Sequence, residues 1–216
     1  MEKLSQLYEP AAKWAVVMVL SYLATNGVMR LCGWKEGLRL QRLAGYVGMY
    51  PFFVAMVVFA HIGTYEIFME GTAHARAYSN TFSSEQFAYI YISSNIVAAL
   101  GQLQTESGMF LVQLMSHHVL SLACFSAGFY FDRFRFWMAF AGCCEATNLF
   151  LVPIFAAKEL PHIKEQMWYK INGIFLVVTF VTHRFVLFPV WLYMWYSDQQ
   201  ELKIDNLHDG EKYVRS

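Results

Sequence analysis

Two adjacent histidines, His117 and His118, stand in the middle of the apolar run GMFLVQLMSHHVLSLACFSAGFY. Imidazole titrates near neutral pH, so such a pair can serve as general base, nucleophile or hydrogen-bond anchor. Gln113, His117 and Ser121 recur every fourth residue and share one helical face. His118 is turned about 100° from that face, so one histidine can face a cavity while the other bonds a neighbouring helix. Downstream, FWMAFAGCCEATNLFLVPIFA carries Glu145 with Asn148 almost one turn later. A further apolar run holds Thr179 and His183 at helical spacing, with Arg184 beside them. Upstream, QFAYIYISSNIVAALGQLQ puts Tyr91, Asn95 and Gln102 on one face.

The segments that must position these groups are membrane helices. The 216-residue chain is 57% hydrophobic and only 15% charged, against roughly a quarter charged in an average soluble domain. Charges gather in short stretches, and the intervals between them reach the roughly 20 residues that cross a bilayer. The pattern predicts an all-α membrane protein, a bundle of about six spans at 12–32, 44–66, 86–105, 108–130, 136–156 and 172–196, enclosing a polar-lined cavity. All six tryptophans, Trp14, Trp34, Trp137, Trp168, Trp191 and Trp195, fall near proposed span ends, where amphipathic rings favour the headgroup zone. Segment 67–85 reads as a loop. The chain thus divides into an N-terminal segment with the first helix and a basic loop (1–43), a membrane core (44–197) and a polar, mobile tail (198–216).

Other classes recede. Sixteen basic and sixteen acidic residues cancel, so no nucleic-acid footprint is expected. Cys32, Cys124, Cys143 and Cys144 lie within or beside apolar stretches and form no disulfide framework. No metal site is expected: among seven histidines only His117 and His118 cluster, unlike the repeated HxxxH and HxxHH sets of di-iron membrane desaturases and hydroxylases. The N-terminal run carries mixed charge and reads as a retained helix rather than a cleaved signal. With both termini on one side, Lys and Arg number eight there and seven opposite, so orientation does not resolve.

A charge at mid-membrane costs roughly 2.5–3.5 kcal/mol on insertion scales, which makes Glu145 and Arg184 functional candidates. Arg184 keeps its proton and needs an acidic partner or a bound anion. A Glu145–Arg184 pair is the economical expectation.

The run FLVQLMSHHVLSLACF, followed after a short basic loop by CCEATNLFLVPIF, resembles the core of the TLC domain. That family includes ceramide synthases, translocon-associated membrane proteins and smaller TLC-only proteins. The resemblance spans roughly residues 44–196, and the short chain is most similar to the TLC-only proteins. By this resemblance His117 and His118 match the histidine pair of the ceramide synthases. Glu145 and Asn148 fall at the spacing of the two acids in their downstream signature. Cys144 stands in the place of the preceding histidine, and Asn95 where many members have an aspartate.

The resemblance implies an integral membrane protein of lipid metabolism in the endoplasmic reticulum or another endomembrane, with a membrane lipid or acyl lipid as partner. The first functional expectation is an acyl-lipid acyltransferase, acyl-CoA-dependent or transacylase-type. It would use His117, His118 and Glu145 catalytically, with Asn95, Asn148, His183, Arg184 and Gln113 in binding. No bound cofactor is expected, acyl-CoA being a possible co-substrate. The alternative is a non-enzymatic lipid-binding or membrane-lipid-composition factor using the same cavity.

Overall fold

The computed structural model describes the backbone of residues 2–35, 37–131 and 133–214, and the side chains of 5–35, 37–131, 133–160 and 162–203. Every regular element among these residues is helical. The long helices are α1 (Glu2–Leu31), α2 (Leu38–Phe68), α4 (Phe82–Thr105) and α5 (Gly108–Tyr130), with the short α3 (Ala73–Tyr78) between α2 and α4. The next span is composite: α6 (Arg135–Gly142), a 3₁₀ turn (Cys143–Thr147) and α7 (Asn148–Lys158). Beyond a second 3₁₀ turn (Pro161–Glu165) come α8 (Met167–Phe180), a π turn (Val181–Val186) and α9 (Leu187–Val214).

Five of these stretches are long and apolar enough to cross a membrane: Ser5–Leu31, Leu38–Phe68, Gly108–Tyr130, Arg135–Lys158 and Met167–Lys203. Their outer faces carry apolar side chains such as Leu20, Leu120 and Phe185, as lipid contact requires. The remaining long helix, α4, is more polar because it is central, packing on α1, α2, α5 and α6. Ser83, Ser84, Ser93, Ser94 and Asn95 are all buried there. Hydrogen bonds to backbone replace water: Ser93 Oγ donates to the Ala11 and Tyr89 carbonyls at 2.6 Å.

Close helix approach is set by small residues. A side chain on Gly63 of α2 would put its first carbon 2.7 Å from the Ser84 nitrogen of α4. On α6, Gly142 leaves room for the Phe87 ring.

Prolines stand inside several helices, where a neighbour can satisfy the freed carbonyl. Pro153 removes the donor owed to Leu149, and the Tyr50 hydroxyl of α2 donates to that carbonyl at 3.1 Å. Pro189 stands just after the π turn, in which Leu187 N–H bonds the Thr182 carbonyl five residues back. A 3₁₀ turn precedes α7 because Thr147 Oγ1 donates back to the Cys144 carbonyl at 2.9 Å.

Two expectations need correction. Segment 67–85 is not all loop: Thr72 caps α3 and Thr81 forms a capping box with Ser84 at the start of α4. The expected tail at 198 instead continues α9, because Asp198 is buried against Arg76, whose Nε and Nη2 donate at 2.6 and 2.7 Å. That carboxylate holds the Arg76 guanidinium above its usual pKa. Trp137, two residues into its span, is buried against the neighbouring helix. Its ring meets Trp191 edge-on at 5.8 Å, and Trp191 Nε1 donates to the Trp137 carbonyl at 3.0 Å.

The chain ends share one end of the bundle. Tyr8 bonds Ser126 near the end of α5 at 2.7 Å, and Arg76–Asp198 brings α9 to the same level. At the opposite end Arg42 gathers Glu106 at 3.2 Å and Glu159 at 3.8 Å, tying α2 to α4 and α7.

Candidate functional site

The polar groups at mid-bundle depth form two clusters. The first lies between α4 and α5. His118 is buried, with Nδ1 2.7 Å from Asn95 Oδ1 and Nε2 2.9 Å from the Gln102 amide. Asn95 Nδ2 donates to the Tyr91 carbonyl at 2.8 Å, so the oxygen of that amide faces the ring and Nδ1 carries the proton. At the other ring nitrogen, Nε2 faces the side-chain oxygen of Gln102. One turn earlier on α4, the Tyr91 hydroxyl donates to Ser121 Oγ at 3.2 Å.

The two histidines lie on different sides of α5. His118 is locked to the neighbouring helix. His117 is exposed on the outer side of α5, its ring centroid 5.6 Å from that of His118. Gln113, one turn away from His117, is exposed on the same face.

The second cluster joins α2, the 3₁₀ turn and the π turn. Asn148 Nδ2 donates to Glu145 Oε2, as their spacing predicted. The Cys144 thiol donates to the His183 carbonyl at 3.0 Å, supplying a hydrogen where the π turn disrupts the helical ladder. His183 Nδ1 faces the Thr179 carbonyl at 3.1 Å and the Thr182 hydroxyl at 2.8 Å. Arg184 does not form the expected ion pair with Glu145 among the described residues. Its Nη2 donates to Thr147 Oγ1 at 3.4 Å. Arg184 is otherwise exposed.

Sequence reasoning passed over part of this cluster. His61 of α2 gave no more signal than any lone histidine. Its ring meets that of His183 at 5.7 Å while its Nδ1 donates to the Val57 carbonyl at 2.7 Å. Thr64 lies 3.6 Å from the Cys143 thiol. Thr147 carries no signal in sequence at all, since its role depends on where the π turn points. Among the described residues no three metal-ligating side chains converge.

The whole arrangement lies within the region matched by one family model, the TLC domain, over residues 38–211. The chain belongs to the TLC-domain family. As a TLC-domain protein it is an integral membrane protein with a place in lipid metabolism or sensing. No curated protein and no solved structure matches the chain. The family match begins six residues before the expected core boundary at 44 and runs beyond 197 into the helical extension of α9.

Proposed function

We propose that this TLC-domain protein is a non-enzymatic lipid-binding protein that influences membrane lipid composition, holding the polar part of a membrane lipid against its mid-bundle groups. One observation carries this reading: both ring nitrogens of His118 are engaged, by Asn95 and Gln102. A general base or nucleophile must offer an open lone pair to the substrate. Glu145 is likewise turned to Asn148. Amides at Asn95 and Asn148, and a thiol at Cys144, replace the acids and histidine of the ceramide synthases, which favours kinship with the TLC-only proteins. Arg184 has a charge to satisfy at mid-span, and a lipid phosphate or carboxylate would answer it. Residence in the endoplasmic reticulum or another endomembrane belongs to the same proposal.

A second reading is favoured by His117, whose ring lies exposed on α5 with Gln113 one turn away. In an acyltransferase, acyl-CoA-dependent or transacylase-type, His117 would attack the acyl carbonyl. The bond to the departing thiolate or alkoxide breaks, that group leaves with a proton, and an acyl-imidazole remains. An acceptor hydroxyl or amine then takes the acyl group and restores the ring. His118, fixed by Asn95, would position His117.

Lipidomics of cells carrying wild-type protein, His117→Ala or a deletion separates the two. The binding reading expects the deletion to alter the lipid profile and His117→Ala to leave the wild-type profile, with purified protein retaining a lipid in both forms. An acyl product that disappears with His117→Ala, in a variant that still folds, overturns it in favour of acyl transfer.

A further inference from the structure

Away from the mid-bundle clusters, a cavity of about 320 Å³ opens at the end of the bundle that carries both chain ends, between α3, the α5–α6 connection and α9. Arg133 and Lys203 bring two cations to its wall, and Tyr78, Phe134 and Gln199 complete the part that matters here. Each wall element is pinned. Phe134 N–H donates to the Ala77 carbonyl at 2.9 Å, with Phe134 in the left-handed region at φ 69°. A non-glycine residue rarely adopts that conformation without a reason in the surrounding structure. It turns the chain so that the Arg133 guanidinium lies over the Tyr78 ring at 5.0 Å. Arg76 holds Asp198, one residue before Gln199, which fixes the rotation of α9 against α3.

Within this wall the Gln199 amide nitrogen is buried and has no hydrogen-bond partner among the described residues. A buried donor is rarely left unpaired, so this one marks the place of an acceptor. Neither described acid nearby fills the role. The Asp198 carboxylate is taken by Arg76, and Glu201 is exposed, within electrostatic range of the same arginine. Asp132, next to Arg133 in sequence, lies outside the described residues. The depth also speaks for a membrane ligand. Gln199 is four residues, about 6 Å along the helix, beyond Trp195. Amphipathic rings mark the headgroup boundary, so the cavity opens at headgroup level.

We propose that this cavity binds a phosphate group, carried by an anionic membrane lipid, with Arg133 and Lys203 supplying charge and Gln199 a neutral donor. An arginine fork and an ammonium suit phosphate oxygens, and juxtamembrane cations draw anionic headgroups. This site is separate from the mid-bundle groups and does not depend on what they do.

The test uses the full chain in phosphatidylcholine nanodiscs doped with phosphatidic acid, or with oleate as an anion that lacks phosphate. Bound lipid is counted by native mass spectrometry, and inorganic phosphate serves as the soluble competitor. Phosphatidic acid should be retained over oleate. Binding should weaken about tenfold with Arg133→Gln and a few-fold with Lys203→Gln, whose side chain is exposed and whose loss leaves the fold intact. Lys13→Gln, a cation at the same end in an exposed pair with Glu9, should change nothing. Phosphate that displaces the lipid at millimolar concentration keeps the phosphate site but makes a soluble phosphate its ligand. Failure to displace it supports the lipid. Equal retention of oleate, or equal binding by all three variants, overturns the proposal.

Discussion

Asn95 on α4 faces Nδ1 of His118 on α5 with its side-chain oxygen. Its amide nitrogen is committed to the Tyr91 carbonyl at 2.8 Å, which leaves its oxygen for His118 Nδ1 at 2.7 Å. Both side chains are buried. Asn95→Ala should therefore leave an imidazole N–H without an acceptor and lower stability by about 1–2 kcal/mol. Asn95→Asp should do something different, since a carboxylate at this position favours the imidazolium and recreates the residue type common in the family. Thermal unfolding in detergent across about pH 5 to 8, the range in which imidazole titrates, checks both. Asn95→Ala is expected to lower Tm at every pH, and Asn95→Asp to change the slope of Tm against pH.

The Arg76–Asp198 pair makes the end of α9 part of the fold. Asp198 is almost wholly buried, and both its oxygens are bonded by one guanidinium. Removing either partner strands the other, which costs about 3–5 kcal/mol for a buried pair. Asp198→Asn and Arg76→Gln should each destabilise by about 3 kcal/mol, and the double variant by much less than the sum. Denaturant unfolding in nanodiscs gives the cycle. Hydrogen exchange should rise in α3 and in α9 beyond Tyr196, and little elsewhere.

How far the sequence carried this picture depends on whether a feature is local. The spans were legible because apolar length is a local property, and Glu145–Asn148 because three residues nearly complete a turn. The opposite fates of His117 and His118 came from the angle between adjacent helical positions. The Glu145–Arg184 pair failed for a non-local reason. The chain leaves α-helical geometry at Cys143–Thr147 and again at Val181–Val186. The pair was expected from charge alone, and charge does not say where a helix that leaves α geometry turns its side chains, so Thr147 stays hidden. Arg76 and Asp198 lie 122 residues apart, and nothing near either announces the other. Asp198 therefore looked like the first residue of a solvated tail.

The contact between Gly63 and Ser84 should set the spacing of α2 and α4. A carbon added at Gly63 would lie 2.7 Å from the Ser84 nitrogen and 2.9 Å from its Cα, atoms that move only if the helices separate. Gly63→Ala should cost about 1–3 kcal/mol as overpacking. Gly45, on the same helix, meets nothing within 4 Å. Gly45→Ala should gain about 0.4–1 kcal/mol by restricting the unfolded chain. Opposite shifts of Tm for the two substitutions are the expected result.

Tyr50 and Pro153 offer the sharpest check on how the bundle tolerates its prolines. Pro153 has no N–H for the Leu149 carbonyl, and in lipid an unsatisfied carbonyl costs several kcal/mol. The Tyr50 hydroxyl donates to that carbonyl at 3.1 Å from the next helix. Tyr50→Phe keeps the ring and its packing while removing only the donor, so it should destabilise by about 1–2 kcal/mol. Pro153→Ala supplies a backbone N–H of its own and lets the turn close. In that background the hydroxyl is no longer needed, and Tyr50→Phe should cost a few tenths of a kcal/mol at most. A double-mutant cycle by denaturant unfolding measures the difference directly. If Tyr50→Phe costs the same with and without Pro153, the hydroxyl serves something other than the carbonyl the proline leaves open.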